Sequence, residues 1–435
     1  MPEKFKIAKG VKDWYGQDAV LRNEIKDVLR RIFERYGYNP IETPMIERAE
    51  TMKFKGGQEI QKEIFTLKDQ GRRELALRFD QTLPLARFVA SNKDIKFPFK
   101  RYVIGEVFRD GPTQPEQGRY RLFTQCDVDI LGVKDMIAEA ELLALAQDCF
   151  KELGLGNITI KINNRKLLDG ILDYANVPNS KKIETIIILD KMDKIGIEGV
   201  KKEIKLLLPK EKVDKLISAI TKENNNNKTY KKLISIVSSE NGKQGLGEIK
   251  QLLDYSKSMD LDFVEFDPSL ARGLDYYTGT TIEVFLKDKS IVKSAVLAGG
   301  RFDNLIGDFI GGKKEIPAVG FSFGLERLAM ILKAYKKSLK SSNTELYLIP
   351  INTANKCLKL AHYLRNQGLN TDMDFNARKI SKAINYASSL GIPYVGIVGE
   401  DEIKEDSITI KNLKTRNQKK IKINNVCKYL KKNKN

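Results

Sequence analysis

Two β-rich runs, separated by a loop that can continue neither, place the strongest constraint on how this chain folds. Residues 99–110 read FKRYVIGEVFRD and residues 119–132 read RYRLFTQCDVDILG, around the loop GPTQPEQG with its two prolines and two glycines. That pattern predicts a long antiparallel hairpin. Further β-like runs follow after residue 262: FVEFDPSL, TGTTIEVFL, SAVLAGGR and AVGFSFG. No helix of crossover length separates them, and parallel neighbours need one. The expected class is therefore α+β, an antiparallel-sheet core rather than a doubly wound parallel sheet.

Helical periodicity surrounds this core. In DAVLRNEIKDVLRRIFERY, residues 18–36, Leu21, Ile25, Val28, Leu29, Ile32 and Phe33 share one face, and Gly37 ends the pattern. The following YNPIETPMIE reads as a short strand interrupted by Pro40 and Pro44, which confines it to an edge or an interface. ITIKINN closes a β-like run at Asn164, and residues 165–255 are helix-rich, with a surface loop expected at the polar tract KENNNNKTYKK, 222–232. KKSLKSSN has no periodicity and reads as a linker. Beyond it, ELYLIPI, NKCLKLAHYLRNQG, NTDMDF, ARKISKAINYASSLG and IPYVGIVG alternate strand and helix, the pattern of a small α/β domain with a largely parallel sheet. A hairpin, SITIKNLKTRNQKKIKI, and a terminal helix, VCKYLKKN, follow. The expected divisions are 1–164, 165–255, 256–335, a linker at 336–344, and 345–435.

At 435 residues, two to four domains are expected. Charge then narrows the partner. The net charge is +19, and residues 341–435 carry 17 basic against 8 acidic residues. Such asymmetry favours a polyanion, most simply nucleic acid, over uniform Lys-rich solubility. The sole histidine, His362, excludes multi-histidine metal sites. Cys126, Cys149, Cys357 and Cys427 form no C-x-x-C pair, so free thiols in a reducing cytosol are expected. The N-terminal run MPEKFKIAKGVKDWYG has no apolar core of a secretory signal, and no run approaches the length of a membrane span.

Five short segments carry possible chemistry, each with a structural alternative. The hairpin gathers Arg109, Arg119, Arg121 and Phe123, which suit phosphate oxygens and a stacked base, or form a solvated basic strand. In ARGLDYYTGT, Arg272 and Asp275 flank Gly273 and precede Tyr276 and Tyr277; a bulged strand with an internal ion pair is the alternative. LAGGRFDNLIG would let a ligand lie against glycines beside Arg301, or simply turn. In GFSFGLERL, glycines lead into a helix with Arg327 in its first turn, an anion site or a glycine cap. In LRFDQTLPLARF, Asp80 and Thr82 face one side of an expected strand end, where they would suit an α-ammonium group, or one of them caps a helix.

In order and wording these segments resemble class II aminoacyl-tRNA synthetases, and among them the histidyl-tRNA synthetase family. FRDGPTQPEQGRYRLFTQCDVD looks like motif 2, GFSFGLERL like motif 3, and GYNPIETPMIE like motif 1. ARGLDYYTGT and LAGGRFD resemble the two motifs peculiar to the histidyl enzymes, and KGVKDWYG resembles their N-terminal signature. TQCDVD, with Asp80 in LRFDQT, is closer to the archaeal and eukaryotic branch. The resemblance implies a class II catalytic core, a helical insertion at 165–255 and a C-terminal anticodon-binding α/β domain.

It also implies roles. Arg109 would hold the ATP α-phosphate, Phe123 would stack on adenine, and Arg327 with Arg119 would hold the γ-phosphate. Arg272 would neutralise charge building on the α-phosphate. Asp80, Thr82 and Gln125 would bind the histidine α-ammonium, while Asp129 and Tyr277, beside Tyr276, would read the imidazole. Asp129 stands where the bacterial branch uses Glu. Arg121 would lie near the tRNA acceptor end, and Arg378, Lys379, Lys382 and Arg416 would contact tRNA phosphates. The implied partners are tRNA(His), L-histidine and ATP with Mg2+, in a cytoplasmic homodimer formed through the motif 1 region and without a membrane partner. Carboxylate attack on the α-phosphorus needs positioning and charge stabilisation rather than a protein nucleophile, which suits a chain with one histidine. The rival reading is an inactive paralogue serving as a histidine-sensing regulatory subunit or RNA-binding protein.

Overall fold

The computed structural model describes residues 5–55, 61–261, 263–273, 276–312, 314–335 and 340–433. Leu274 and Asp275 of the ARGLDYYTGT run, and residues 336–339 of the expected linker, lie outside them. The chain divides into two compact units, residues 1–12 with 25–335 and residues 13–24 with 336–435.

The strands of the first unit are β1 (Asn39–Pro40), β2 (Ile46–Arg48), β3 (Thr66–Lys68), β4 (Glu74–Leu77), β5 (Phe99–Phe108), β6 (Leu122–Leu131), β7 (Ile158–Asn164), β8 (Val264–Phe266), β9 (Thr280–Leu286), β10 (Leu297–Arg301) and β11 (Ala318–Gly324). Eight of them form one sheet in the order β1-β5-β6-β11-β10-β9-β7-β8, and β2-β4-β3 form a small second sheet. Within the large sheet only the two edge pairings, β1 with β5 and β7 with β8, are parallel. The expected hairpin is β5–β6, in register from Phe99 opposite Leu131 to Phe108 opposite Leu122. The expected strand around Pro40 and Pro44 is split. Pro40 lies on edge strand β1, and Pro44 falls in the connection to β2, in the other sheet. A proline has no N–H to give a ladder, so the run cannot pair continuously.

Strand alternation gives the large sheet two unlike faces. One is apolar: Cys126 and Val128 of β6, Val319 and Phe323 of β11, and Ile282 and Val284 of β9 are all fully buried. It packs on the helices Gly16–Arg35, from Ile25 onward, and Ile137–Glu152, with the Phe33 and Phe150 rings 6.2 and 5.5 Å from Phe323. Each such buried side chain contributes about 1.5–3 kcal/mol. The other face carries Arg101, Gln125, Asp127, Asp129, Ser322 and Glu283, in the middle of the same strands. A polar surface buried at the centre of a sheet is costly unless it binds something.

Between β7 and β8 there are only helices: Arg165–Tyr174, Asn179–Leu189, Met192–Ile204, Lys210–Ile220, Asn226–Ile236 and Glu240–Ser258. The polar tract expected as a loop instead starts a helix. Asn225 caps it through Lys228 N–H, and Asn226 ties it to Val264 and Phe266 of β8. Asparagine is a strong cap, so a polar tract can open a helix rather than interrupt one.

In the second unit, β12 (Leu346–Pro350), β13 (Thr371–Met373), β14 (Tyr394–Val398), β15 (Ser407–Asn412) and β16 (Gln418–Lys422) form a sheet in the order β13-β12-β14-β15-β16. β12 is parallel to both β13 and β14, and the β15–β16 hairpin adds antiparallel strands. Helices Ala354–Asn366 and Ile380–Ser389 make the crossovers, as the alternating pattern predicts.

Candidate active site

Asp80 and Thr82 are not on a strand end. The chain turns after β4, and Asp80 Oδ1 accepts from the N–H groups of Thr82 (3.1 Å) and Leu83 (3.0 Å), opening the helix Thr82–Ser91. The helix-cap alternative is the one realised, because a carboxylate satisfies orphan donors at a helix start. Asp80 still lies in the site. Burial pushes its carboxyl up, opposed by those N–H bonds and by the Arg109 guanidinium.

Arg109 follows β5 directly. Its guanidinium is 4.2 Å from the Phe79 ring centroid and 5.1 Å from that of Phe123, and Nε donates to the Phe79 carbonyl (3.3 Å). Burial lowers its pKa, and Arg272 adds to that. The loop 111–118 folds back so that Gly118, at φ +69°, lies against the start of the helix Leu325–Tyr335. A Cβ there would come within 3.3 Å of the Arg327 backbone nitrogen. This brings Arg119 near Arg327. The Arg327 guanidinium donates to Ala295 O at 2.6 Å and is pushed down to about 10, by burial first and then by Arg119 and Arg109, with Arg272 contributing. Four arginines thus share one field, which a polyanion would relieve.

On the polar face of the sheet, Arg101 and Asp129 form an ion pair of 2.6 Å with side chains 1% and 5% exposed. Gly320 on β11 makes room for it. A Cβ there would lie 1.9 Å from Asp129 Oδ1, so no other residue fits. Burial raises Asp129 to about 6 against the pull of Arg101, with Asp80 adding to the rise. Gln125, two strand alternations away, has a buried Oε1 without a partner. Arg272 donates to Glu283 of β9 at 2.6 Å. Burial opposes its charge, but Glu283, Tyr277 and Asp190 together hold its pKa above the ordinary value. The rings of Tyr276 and Tyr277 are 4.9 Å apart, and burial raises both hydroxyls.

Asp80, Arg109, Arg119, Phe123, Gln125, Asp129, Arg272, Tyr276, Tyr277 and Arg327 therefore come together in the first unit, with Thr82 bonded through its N–H to Asp80. Arg121 lies across the hairpin from Arg109, whose N–H donates to its carbonyl, but its side chain pairs with Asp110 at 3.0 Å and its N–H donates to Gly10 O. Gly10, at φ +83°, leaves no space for a side chain beside Arg121. The expected turn at LAGGR is not formed, since Leu297–Arg301 is a strand. Arg301 lies on β10 and forms a two-bond ion pair with Glu139, 2.7 Å each, beneath the sheet. The remaining residues are in the second unit. Arg378 pairs with Asp374 and stacks 4.2 Å from the Tyr386 ring. Lys379 and Lys382 are exposed at the start of the helix Ile380–Ser389, and Arg416 is exposed in the β15–β16 turn at φ +62°. His362 is exposed on the helix Ala354–Asn366.

The sequence reasoning missed Arg101, Glu283, Asp190 and Asp127. Asp127 had a signal, since it falls between Gln125 and Asp129 at strand period. Arg101 and Glu283 had none, because their places depend on cross-strand register. Among the described residues no three acidic, cysteine or histidine side chains gather around a metal position, and no helix is long and apolar enough to cross a membrane.

Comparison with known proteins follows the same division. Residues 10–328 match the family model described as histidyl-tRNA synthetase, and residues 345–433 match an anticodon binding domain. The chain is 44% identical over 437 aligned positions to histidine–tRNA ligase 1 of Bacillus cereus, covering 97% of this chain and 98% of that one. The crystal structure of histidyl-tRNA synthetase from Nostoc sp. PCC 7120 superposes with TM-score 0.87 at 30% identity, over 99% of each chain. A Bacillus halodurans structure titled as an ATP phosphoribosyltransferase regulatory subunit/histidyl-tRNA synthetase shares the fold, with TM-score 0.75 at 22% identity, over 92% of this chain and 99% of that one. The archaeal and eukaryotic wording of TQCDVD thus occurs in a chain with close bacterial relatives.

Proposed function

The chain belongs to the histidyl-tRNA synthetase family, and from that premise we propose how its residues divide the work. The protein is a histidine–tRNA ligase: it uses ATP to join L-histidine to tRNA(His) for translation, through a histidyl-adenylate. Arg109 holds the α-phosphate and Phe123 stacks on the adenine, with the guanidinium already seated between the two rings. Arg327 and Arg119 hold the γ-phosphate. Mg2+ arrives with the triphosphate as part of the substrate. Asp80, Thr82 and Gln125 take the histidine α-ammonium, and Asp129, Tyr276 and Tyr277 surround the ring.

Arg272 leaves part of its hold on Glu283 to neutralise the α-phosphate as the carboxylate attacks in line and pyrophosphate departs. The adenylate is then attacked by the terminal 3′-hydroxyl of the tRNA, with a phosphate oxygen of the substrate as base. A site built to hydrogen-bond the ring rejects apolar isosteres by roughly 10⁴–10⁵ without editing. The observation that carries this assignment is the convergence of Arg109, Arg119, Arg272 and Arg327: Arg327 is lowered by burial first and then by the charges of the other three.

In the wider chain, 1–164 and 256–335 make the catalytic core, 165–255 an insertion over the acceptor stem, 336–344 a linker and 345–435 the anticodon-binding domain. Arg121 lies toward the acceptor end, and Lys379, Lys382, Arg416 and Arg378 face tRNA phosphates. A cytoplasmic homodimer forms through the motif 1 region, where Met45 and Ile46 are 45% and 49% exposed. The regulatory alternative is not favoured, since Arg109, Arg272 and Arg327 are all present, as is the anticodon-binding segment. ATP–pyrophosphate exchange measured with each of twenty amino acids tests the assignment. Exchange with histidine alone is expected, and no exchange with any amino acid would overturn it.

A further inference from the structure

The carboxyl that no role above uses is Asp127. Gln125, Asp127 and Asp129 alternate on β6 and share one face, with Asp127 and Asp129 about 6–7 Å apart at Cα. Asp127 is 4% exposed, its Oδ1 is buried with no hydrogen-bond partner, and among the described residues it forms no ion pair.

The charged groups around it are shared or engaged elsewhere. On β5, Arg101 pairs through one nitrogen with Asp129 while also drawing Asp127 down, its Nε has no partner, and Val103 stands directly opposite Asp127. On β11, Ser322 is opposite, offering a neutral hydroxyl. From the segment after β4, Arg78 donates to the Glu106 and Thr43 carbonyls. Asp80 accepts two helix N–H groups, and Gln81 is neutral. Arg272 is held on Glu283. One guanidinium thus serves two buried carboxylates, Asp127 and Asp129, and leaves them a positive charge short, which is costly unless a ligand supplies it.

L-histidine brings two groups able to carry positive charge. Its α-ammonium goes to Asp80 in the assignment above, on which this inference rests. The ring is the other. We propose that Asp127 is a second carboxylate of the ring subsite, bracketing the ring together with Asp129, and that this subsite takes the ring as imidazolium. Imidazolium has a donor on each nitrogen, and two carboxylates spaced along a strand can each accept one. A neutral ring has one donor only and would turn a lone pair toward the second carboxylate. A neutral amide has two donors but no charge to offset two carboxylates, and a phenyl ring has neither.

Proton counting supplies the test. In the empty site burial raises Asp127 to about 7; Arg101 pulls it down, and Asp129 and Asp80 push it up. The free ring has a pKa of about 6.5. The bound pair holds one proton between ring and Asp127. Above pH 7 the separated partners hold none, so binding takes one up, and affinity falls with rising pH by up to about tenfold per unit. Below about pH 6.5 they hold two, and binding releases one. Asp129, at about 6, adds release only on the acid side, so the decisive window is pH 7 to 8.5.

Calorimetry of L-histidine binding to the wild-type chain, at pH 8 in buffers of different ionisation enthalpy, should show uptake of close to one proton. The KM for histidine in pyrophosphate exchange should rise with pH across the same window, and Asp127→Asn should flatten that rise. No proton uptake by the wild type, or a rise unchanged in Asp127→Asn, would overturn the inference. The wild-type proton count decides the matter even if the variant does not fold. Loss of histidine-dependent exchange in the wild type at every pH would instead overturn the underlying assignment.

Discussion

Two buried arginine–glutamate pairs on the same sheet differ in what they leave over. Arg301 meets Glu139 with two bonds of 2.7 Å, gives its remaining nitrogen to Val133 O and Asp303, and is 2% exposed. Arg272 meets Glu283 through one nitrogen at 2.6 Å, keeps a buried Nε without a partner and is 23% exposed. Both lie in segments whose wording marks the same family. The first guanidinium is saturated from within and can only hold the fold. The second keeps a donor unmatched within range of Arg109 and Arg327, so part of its valence is available to a substrate.

This contrast can be broken from either side. The largest effect is expected at the saturated pair: Arg301→Ala leaves Glu139 buried and uncompensated, and should lower the unfolding free energy by about 3–5 kcal/mol in urea titration. Its Arg272 counterpart should behave in the opposite manner. Arg272→Ala should retain detectable histidine binding and lose less stability than Arg301→Ala, because Arg272 is partly exposed, while pyrophosphate exchange falls by about 10²–10³, and exchange within a few-fold of wild type would remove Arg272 from the chemistry.

The smallest effect concerns pH and the ligand-free protein. The folded-state pKa of Asp127 is about 7, raised by burial above its ordinary value of 3.8. Between those values the folded state binds more protons than the unfolded one, so this group's contribution makes stability fall as pH rises from 4 to 7. Unfolding measured across that range should show a shallower fall in Asp127→Asn.

Legibility in the sequence followed the range of the interactions. The β5–β6 hairpin, the Ile158–Asn164 strand and the terminal alternation of strand and helix were readable because period and turn chemistry are local. The polar tract before Asn226 and the turn at Asp80 were misjudged. In both, a short polar side chain caps a helix, and a composition that resembles a loop or a strand end also suits a cap. Arg301 and Arg272 could not be told apart by type or spacing, since each follows or precedes a glycine in a β-like run.

By itself, the sequence determined the α+β class, the basic C-terminal end and the family, because patterning, charge and motif order are properties of one dimension. It also determined that chemistry must rest on arginines and carboxylates, with one histidine in the whole chain. Only the tertiary structure decided which arginine is saturated, that Arg101 faces Asp129, and that Asp127 is left with a buried oxygen without a partner. Those facts depend on register between strands distant in sequence, where a shift of one residue would move every side chain to the other face.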